Sequence, residues 1–238
     1  MKTNPSKFRI PPRDTCLFSN IYDIPCISPS YTTTKQCSNI VESFVDKNKN
    51  KNIVLKNNNY LWTFIEENTL NYIKFNINLI IKFYKDSFNI IVLTKDNINK
   101  YLPNLPFNMN SIDNINMNKK IDFMKYTLLY NYGGLWIDSS VLLMNYLNFR
   151  KMKYDLVLFE NPNNIYCSNQ NTALPNTKII YCKKSKLDIM KHLLNLTCKN
   201  INNFNQNYEF RNLSEKNLYN SVLLFNKNTN INILSNSY

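Results

Sequence analysis

The chain contains two glycines, Gly133 and Gly134, and they stand side by side. They divide a helix-patterned run from a strand-patterned one. Upstream, Ile121, Met124, Leu128 and Leu129 recur at helical spacing, and Asp122 and Lys125, three residues apart, share a neighbouring face. Downstream, LWIDSSVLLM reads as a strand with Asp138 in its middle or at a bulge. A residue without a Cβ enters positive φ at no steric cost, so Gly133 predicts a left-handed helix cap. The pair also lets a backbone approach a bulky ligand such as a diphosphate. A carboxylate on a central strand is costly to bury unless it meets a cation or hydrogen-bond donors, so Asp138 requires a partner.

The same alternation extends in both directions. YLWTFI at Tyr60 reads as a strand, Leu70 to Tyr84 as a helix, and Asn89 to Thr94 as a second strand. The all-apolar run Ile90 to Leu93 predicts a central parallel strand covered on both faces. Lys95 to Leu102 predicts a helix stopped by Pro103, because the residue before a proline is driven out of the α region. Tyr154 to Glu160 and Lys178 to Cys182 are further strands, and Ser185 with Asp188 predicts a capping-box-like helix start. Tyr208 to Asn226 predicts a last helix, and the C-terminal stretch at most one short strand. Alternating strands and helices imply an α/β domain, a sheet flanked by helices, over residues 60–238. Residues 1–59 carry Pro5, Pro11, Pro12, Pro25 and Pro29, then the polar DKNKNKNIVLKNNN, and read as an N-terminal arm and linker.

Hydrophobic residues make up 44% of the chain, enough for a core, and no run reaches the roughly 20 apolar residues of a membrane span. The N-terminus lacks the apolar stretch of a secretory signal, so a cytoplasmic protein is expected. The net charge is +13, but lysine dominates over arginine, asparagine is abundant and glycine is scarce. That is the signature of an AT-rich coding sequence: a low-GC bacterium, a protist or a large DNA virus, the last placing the protein in host cytoplasm or virion. The charge is expected to draw in an anionic ligand rather than to specify a nucleic acid. The six cysteines form no C-x-x-C pair, which predicts reduced, mostly buried thiols. The single histidine, His192, is expected to lie on a helix face without a role.

An acid just beyond two glycines can hold a divalent cation, and such a cation neutralises a diphosphate leaving group. The alternative is a helix cap, a tight turn and an aspartate satisfied by its backbone surroundings. The run I-D-x-x-K-Y-x-L-L-Y-x-Y-G-G-L-W-I-D-S-S-V, Ile121 to Val141, closely resembles the core of DXD-type glycosyltransferases, especially the capsular polysaccharide synthesis and glycosyltransferase sugar-binding-region families. LWTFIEEN, FNIIVLTKDNINKYLPNLP and PNTKIIYCKKSKLDIMKHLLN extend the likeness from about Tyr60 to about Asn195.

The resemblance implies a GT-A fold, a nucleotide-diphosphate sugar donor, Mn²⁺ or Mg²⁺, and hexose transfer with retained anomeric configuration. It assigns Asp122 and Lys125 to the hydroxyls of the donor sugar, Trp136 to the ribose, Trp62 to stacking on the base, and Gly133 and Gly134 to the donor side. For both tryptophans the alternative is a place in the core. Asp138 falls on the metal, and Ser140 stands where a full D-x-D motif has its second acid. A hydroxyl adds no formal charge, so weaker cation affinity is expected. Lys125 occupies a position where arginine is usual, and supplies a point charge without the planar fork. No motif specifies the catalytic group or the acceptor, be it glycan, protein or lipid. Ser140 and a short C-terminal end, whose available acids are Glu209 and Glu215, motivate a second reading: a catalytically degenerate binding or structural protein on the same fold.

Overall fold

In the computed structural model the described residues are 59–67, 69–107, 109, 116–160, 175–202 and 213–234. The expected arm and linker, bar Asn59, lie outside the described residues, as do Cys16, Cys26, Cys37, Cys167 and Glu209. The elements run β1 (Tyr60–Phe64), α1 (Asn71–Tyr84), β2 (Asn89–Leu93), α2 (Ile98–Tyr101), α3 (Met117–Tyr132), β3 (Gly134–Ile137) and a 3-10 turn (Phe149–Lys151). They continue with β4 (Leu156–Glu160), β5 (Pro175–Cys182), α4 (Asp188–Asn202), α5 (Leu213–Phe225) and β6 (Ile231–Leu234). The strands form one six-strand mixed sheet in the order β2-β1-β3-β5-β4-β6. β1 runs parallel to β2 and β3, β5 runs antiparallel to β3 and β4, and β6 lies parallel to β4. This is the α/β architecture that the alternation implied.

Successive side chains on a strand point to opposite faces, and the sheet buries both. Trp62, Phe64, Trp136, Leu158 and Ile180 join one core with residues of α3, α4 and α5. Leu61, Leu135, Ile137, Val157 and Tyr181 join a second core with Ile77, Ile80 and Tyr84 of α1. α3 is the central helix: ten of its sixteen residues are buried, a wider face than the apolar stripe in its sequence predicts.

Four expectations are corrected. β2 is an outer strand of the described sheet, not a central one. Its apolar run records only that Ile90 and Val92 pack on one core and Ile91 and Leu93 on the other, and lateral neighbours leave no trace in that alternation. β3 ends at Ile137. The Asp138 N–H still donates to Lys178 O at 2.8 Å, but its carbonyl then accepts from Val141 N, closing a turn. The helix expected over Lys95 to Leu102 is a single turn, because the Asn97 side chain bonds Val92 O and Thr94 N and so competes with the helix. The helix expected from Ser185 begins at Asp188, since Lys186 adopts φ 63° and donates its N–H to Tyr130 O at 2.7 Å.

The glycine pair is explained by backbone packing. Gly133 ends α3 with φ 67° and ψ −158°, a region essentially reserved for glycine, rather than the expected left-handed helical one. At Gly134, φ is +96° and an added Cβ would lie 2.3 Å from the Tyr60 carbonyl oxygen of β1.

Candidate functional site

β1 is followed by β2 on one side and β3 lies on its other side, so chain connections diverge around β1. In open α/β sheets the crevice beyond the carboxyl ends of the strands at such a point is where ligands bind. Here a cavity of about 740 Å³ opens, reached by Phe64 at the end of β1 and by Asp138 just past β3. α3 supplies Asp122 and Lys125, β5 supplies Thr177 and Lys178, and α5 supplies Ser214 and Glu215.

Strand alternation sets the direction of Asp138. It lies two residues after Trp136 and therefore on the same face, towards α3. Trp136 Nε1 donates to Asp138 Oδ1 at 2.5 Å, and Lys125 Nζ lies 3.7 Å from that oxygen. Lys125, only 2% exposed, also donates to Asp122 Oδ1 and to Thr177 O, each at 3.0 Å. Asp122 Oδ2 accepts from Ser214 Oγ. One buried ammonium thus ties α3, the end of β3 and β5 together, and Asp122 extends the network to α5. The ammonium also sits 5.5 Å from the Trp136 ring centre.

Burying an ammonium costs several kcal/mol unless partners compensate, roughly. Burial alone would lower the Lys125 pKa, but the Asp138 and Asp122 carboxylates outweigh it and hold the ammonium above its usual range. Asp138 shows the converse balance. Burial raises its carboxyl above the usual value, and Lys125 and the Trp136 N–H offset this only in part. Asp138 is the strained member of the pair, an acid whose ionised form gains from additional positive charge.

The charged residues lining the cavity are Lys119, Lys125 and Lys178 against Asp122, Asp138 and Glu215, three of each sign. The +13 of the chain is therefore not concentrated in these walls. A diphosphate entering here would bring negative charge that the walls do not neutralise. No group of three or more His, Cys, Asp or Glu side chains suited to a metal ion exists among the described residues. The residues present fit a divalent cation held jointly by Asp138 and ligand phosphate oxygens, the arrangement magnesium favours, and not one held by protein alone.

Of the residues singled out in the sequence, Asp122, Lys125, Trp136, Asp138 and Ser140 come together around the cavity. Trp62, Gly133 and Gly134 do not. Trp62 is fully buried. Its ring packs against Tyr60, Tyr101 and Tyr132 at 5.2, 5.6 and 5.5 Å, and its Nε1 donates to Gly133 O at 3.0 Å. A ring enclosed in this way has no face to offer a base, so the stacking role is corrected to a core role, and β1 presents Phe64 to the cavity instead. The glycines stand at the opposite end of β3 from Asp138, about 13 Å away along the strand. What approaches Gly134 closely is β1, not a ligand.

Sequence reasoning missed Phe64, Thr177, Ser214 and the placing of Glu215. Ser214 lies 92 residues from the aspartate it binds, and no spacing rule spans that distance. The buried Cys182 thiol is pushed up by desolvation, and it and Cys198, both buried, form no disulfide among the described residues, in keeping with reduced thiols. His192 sits on α4 with its ring 5.5 Å from Phe225.

Among known proteins, no curated sequence matches this one. The family described as capsular polysaccharide synthesis protein matches residues 30–213, starting upstream of the likeness seen from Tyr60 and ending at the first residue of α5. That span covers more than three quarters of the chain and the Gly-Gly-strand-Asp unit with it, and the chain belongs to the capsular polysaccharide synthesis protein family.

Proposed function

We propose that the chain transfers a hexose from a nucleotide-diphosphate sugar to an acceptor, with retained anomeric configuration, on a GT-A-like sheet and with Mn²⁺ or Mg²⁺. The observation that carries this reading is the position of Asp138: just past a parallel strand, on the cavity, beside the Asp122–Lys125 pair. Lys125 donates and Asp122 accepts, so together they match the hydroxyls of a sugar ring, and Thr177 O and Ser214 hold them in place. The Trp136 N–H and Lys125 both address Oδ1 of Asp138. Oδ2 is the oxygen these contacts leave for a cation, and Ser140 supplies a hydroxyl nearby on the cavity wall. When bound, such a cation supplies charge neutralisation of the departing diphosphate. The chain's own contribution is orientation and a fixed electrostatic frame, which account for most of the acceleration in transfers of this kind.

The test is incubation of the full chain with a panel of UDP- and GDP-hexoses in Mn²⁺, in Mg²⁺ and in chelator. Release of nucleoside diphosphate that chelation stops, with an α-linked donor giving an α-configured sugar product, is expected. Release indifferent to chelation, or inversion at the anomeric carbon, refutes the metal or the retaining part respectively. One observation favours the degenerate reading: the cation beside Asp138 is the protein's own Lys125, 3.7 Å away, within walls that are charge-balanced. A donor-dependent thermal shift with no diphosphate release from any donor would select that reading.

A further inference from the structure

Eight large apolar side chains stand exposed among the described residues, and seven belong to α1, to Leu70 just before it, or to the loop after β3. Scattered exposed apolar residues need no explanation, but such a concentration does. α1 buries Asn76, Ile77, Ile80 and Tyr84 towards the sheet. Tyr72, Phe75 and the half-buried Leu79, at spacings of three and four, form a second stripe along one border of that face. The loop follows the same helix: Asn76 Nδ2 donates to Ser139 O at 3.1 Å, the Tyr146 ring lies 5.3 Å from Tyr84, and Leu147 N–H donates to Tyr84 Oη at 3.3 Å. Leu142 and Met144, 54% and 71% exposed, thus stand on a loop pinned to the helix that exposes Phe75 at 57%.

The charge around this patch has one sign on the helix. α1 carries Lys74 and Lys82 and no acid; Lys85 and Asp86 follow it, Glu66 and Glu67 precede Leu70, and the chain as a whole is +13. An apolar stripe edged by lysines, whose stems lie along apolar surface while the ammonium reaches outwards, matches the boundary of an anionic bilayer. No helix among the described residues is long and apolar enough to cross a membrane.

We propose that this patch docks the protein onto an anionic lipid surface, with Tyr72, Phe75, Leu142 and Met144 entering the headgroup boundary and the lysines meeting lipid phosphates. The loop concerned begins at Ser139 and Ser140, which line the cavity, so docking sets the cavity mouth near the bilayer. Docking itself is independent of the transferase reading. Only the corollary, that the cavity then faces lipid-borne acceptors, rests on it.

The test is flotation of the full chain with vesicles of phosphatidylcholine mixed with phosphatidylglycerol, against phosphatidylcholine alone, at low and high salt. The wild type is expected to float with the anionic vesicles and to be released by salt. Phe75→Glu and Met144→Glu, both at exposed sites that leave the core intact, should each weaken binding about tenfold. Leu224→Glu, 49% exposed on α5 across the sheet, should bind as the wild type does and controls for added negative charge. Absence of flotation, or equal loss in all three variants, overturns the proposal. Concentration-dependent self-association, seen by sedimentation and lost in Phe75→Glu and Met144→Glu, would assign the patch to a second copy and overturn it as well.

Discussion

Replacing Lys125 by Met removes the one ammonium that joins Asp122, Asp138 and Thr177 O, while keeping nearly the same volume in a site only 2% exposed. The packing cost is therefore small and the electrostatic cost dominates. Breaking a buried ion pair by removing one partner costs about 3–5 kcal/mol. Asp122 and Asp138 retain 14% and 23% exposure and can recruit water, which places the expected loss near the lower end, about 3 kcal/mol. For a chain of this size that is a fall in Tm of about 10 °C. The pH dependence is more diagnostic than the size. In the wild type Lys125 pulls against the burial that raises Asp138, so in the variant this carboxyl moves further above its ordinary value of 3.8. An acid whose folded pKa is raised contributes stability that is present below the unfolded value and lost as pH rises through the folded one. The gap between variant and wild type should accordingly be widest at neutral pH and close as pH falls towards about 4. The wild-type ammonium, with its pKa above 10.5, keeps its contribution until strongly alkaline pH. Urea denaturation of both proteins across this range is the assay. A variant as stable as the wild type at pH 7, or a gap that does not narrow on acidification, would refute the reasoning.

Gly134→Ala should lose about 3 kcal/mol or fail to fold, because its Cβ would meet Tyr60 O at 2.3 Å and its φ of +96° is foreign to alanine; a soluble variant with an unchanged denaturation midpoint would contradict the strand-packing role. Trp62→Phe should cost about 2 kcal/mol through the lost Gly133 bond and a small cavity, with donor affinity unchanged. A large rise in donor KM with little loss of stability would instead restore the stacking role. Ser214→Ala should cost only about 1 kcal/mol of stability yet raise donor KM several-fold, with Ser214→Thr recovering it, since Asp122 Oδ2 loses the donor that orients it.

The parts of the fold legible in the sequence are those written in local periodicity. β1, α1, α3 and the start of β3 follow from spacings of two and of three to four, and the glycine pair marks the junction of α3 with β3. Asp122, Lys125, Trp136 and Asp138 were legible as one unit because a single helix, turn and strand place all four. Lateral order was not legible, since the alternation in β2 is the same at an edge as at the centre. Nor was the wall made by α5, because Ser214 reaches Asp122 only through tertiary packing. Trp62 was ambiguous for a related reason: an aromatic on an inward strand position has the same sequence signature whether its partner is a base or, as here, three tyrosines. The glycines signalled a close backbone approach, but sequence does not say to what, and β1 is what approaches Gly134.

The central claim is that Asp138 binds a divalent cation together with a ligand diphosphate, and coupling between the two ligands measures it directly. Asp138→Asn keeps an acceptor for the Trp136 N–H and removes the charge. Titration of UDP and GDP into each protein, with Mn²⁺ and with chelator, should show Mn²⁺ strengthening wild-type binding by about tenfold or more and leaving the variant unaffected. An equal Mn²⁺ enhancement in both proteins would contradict the account.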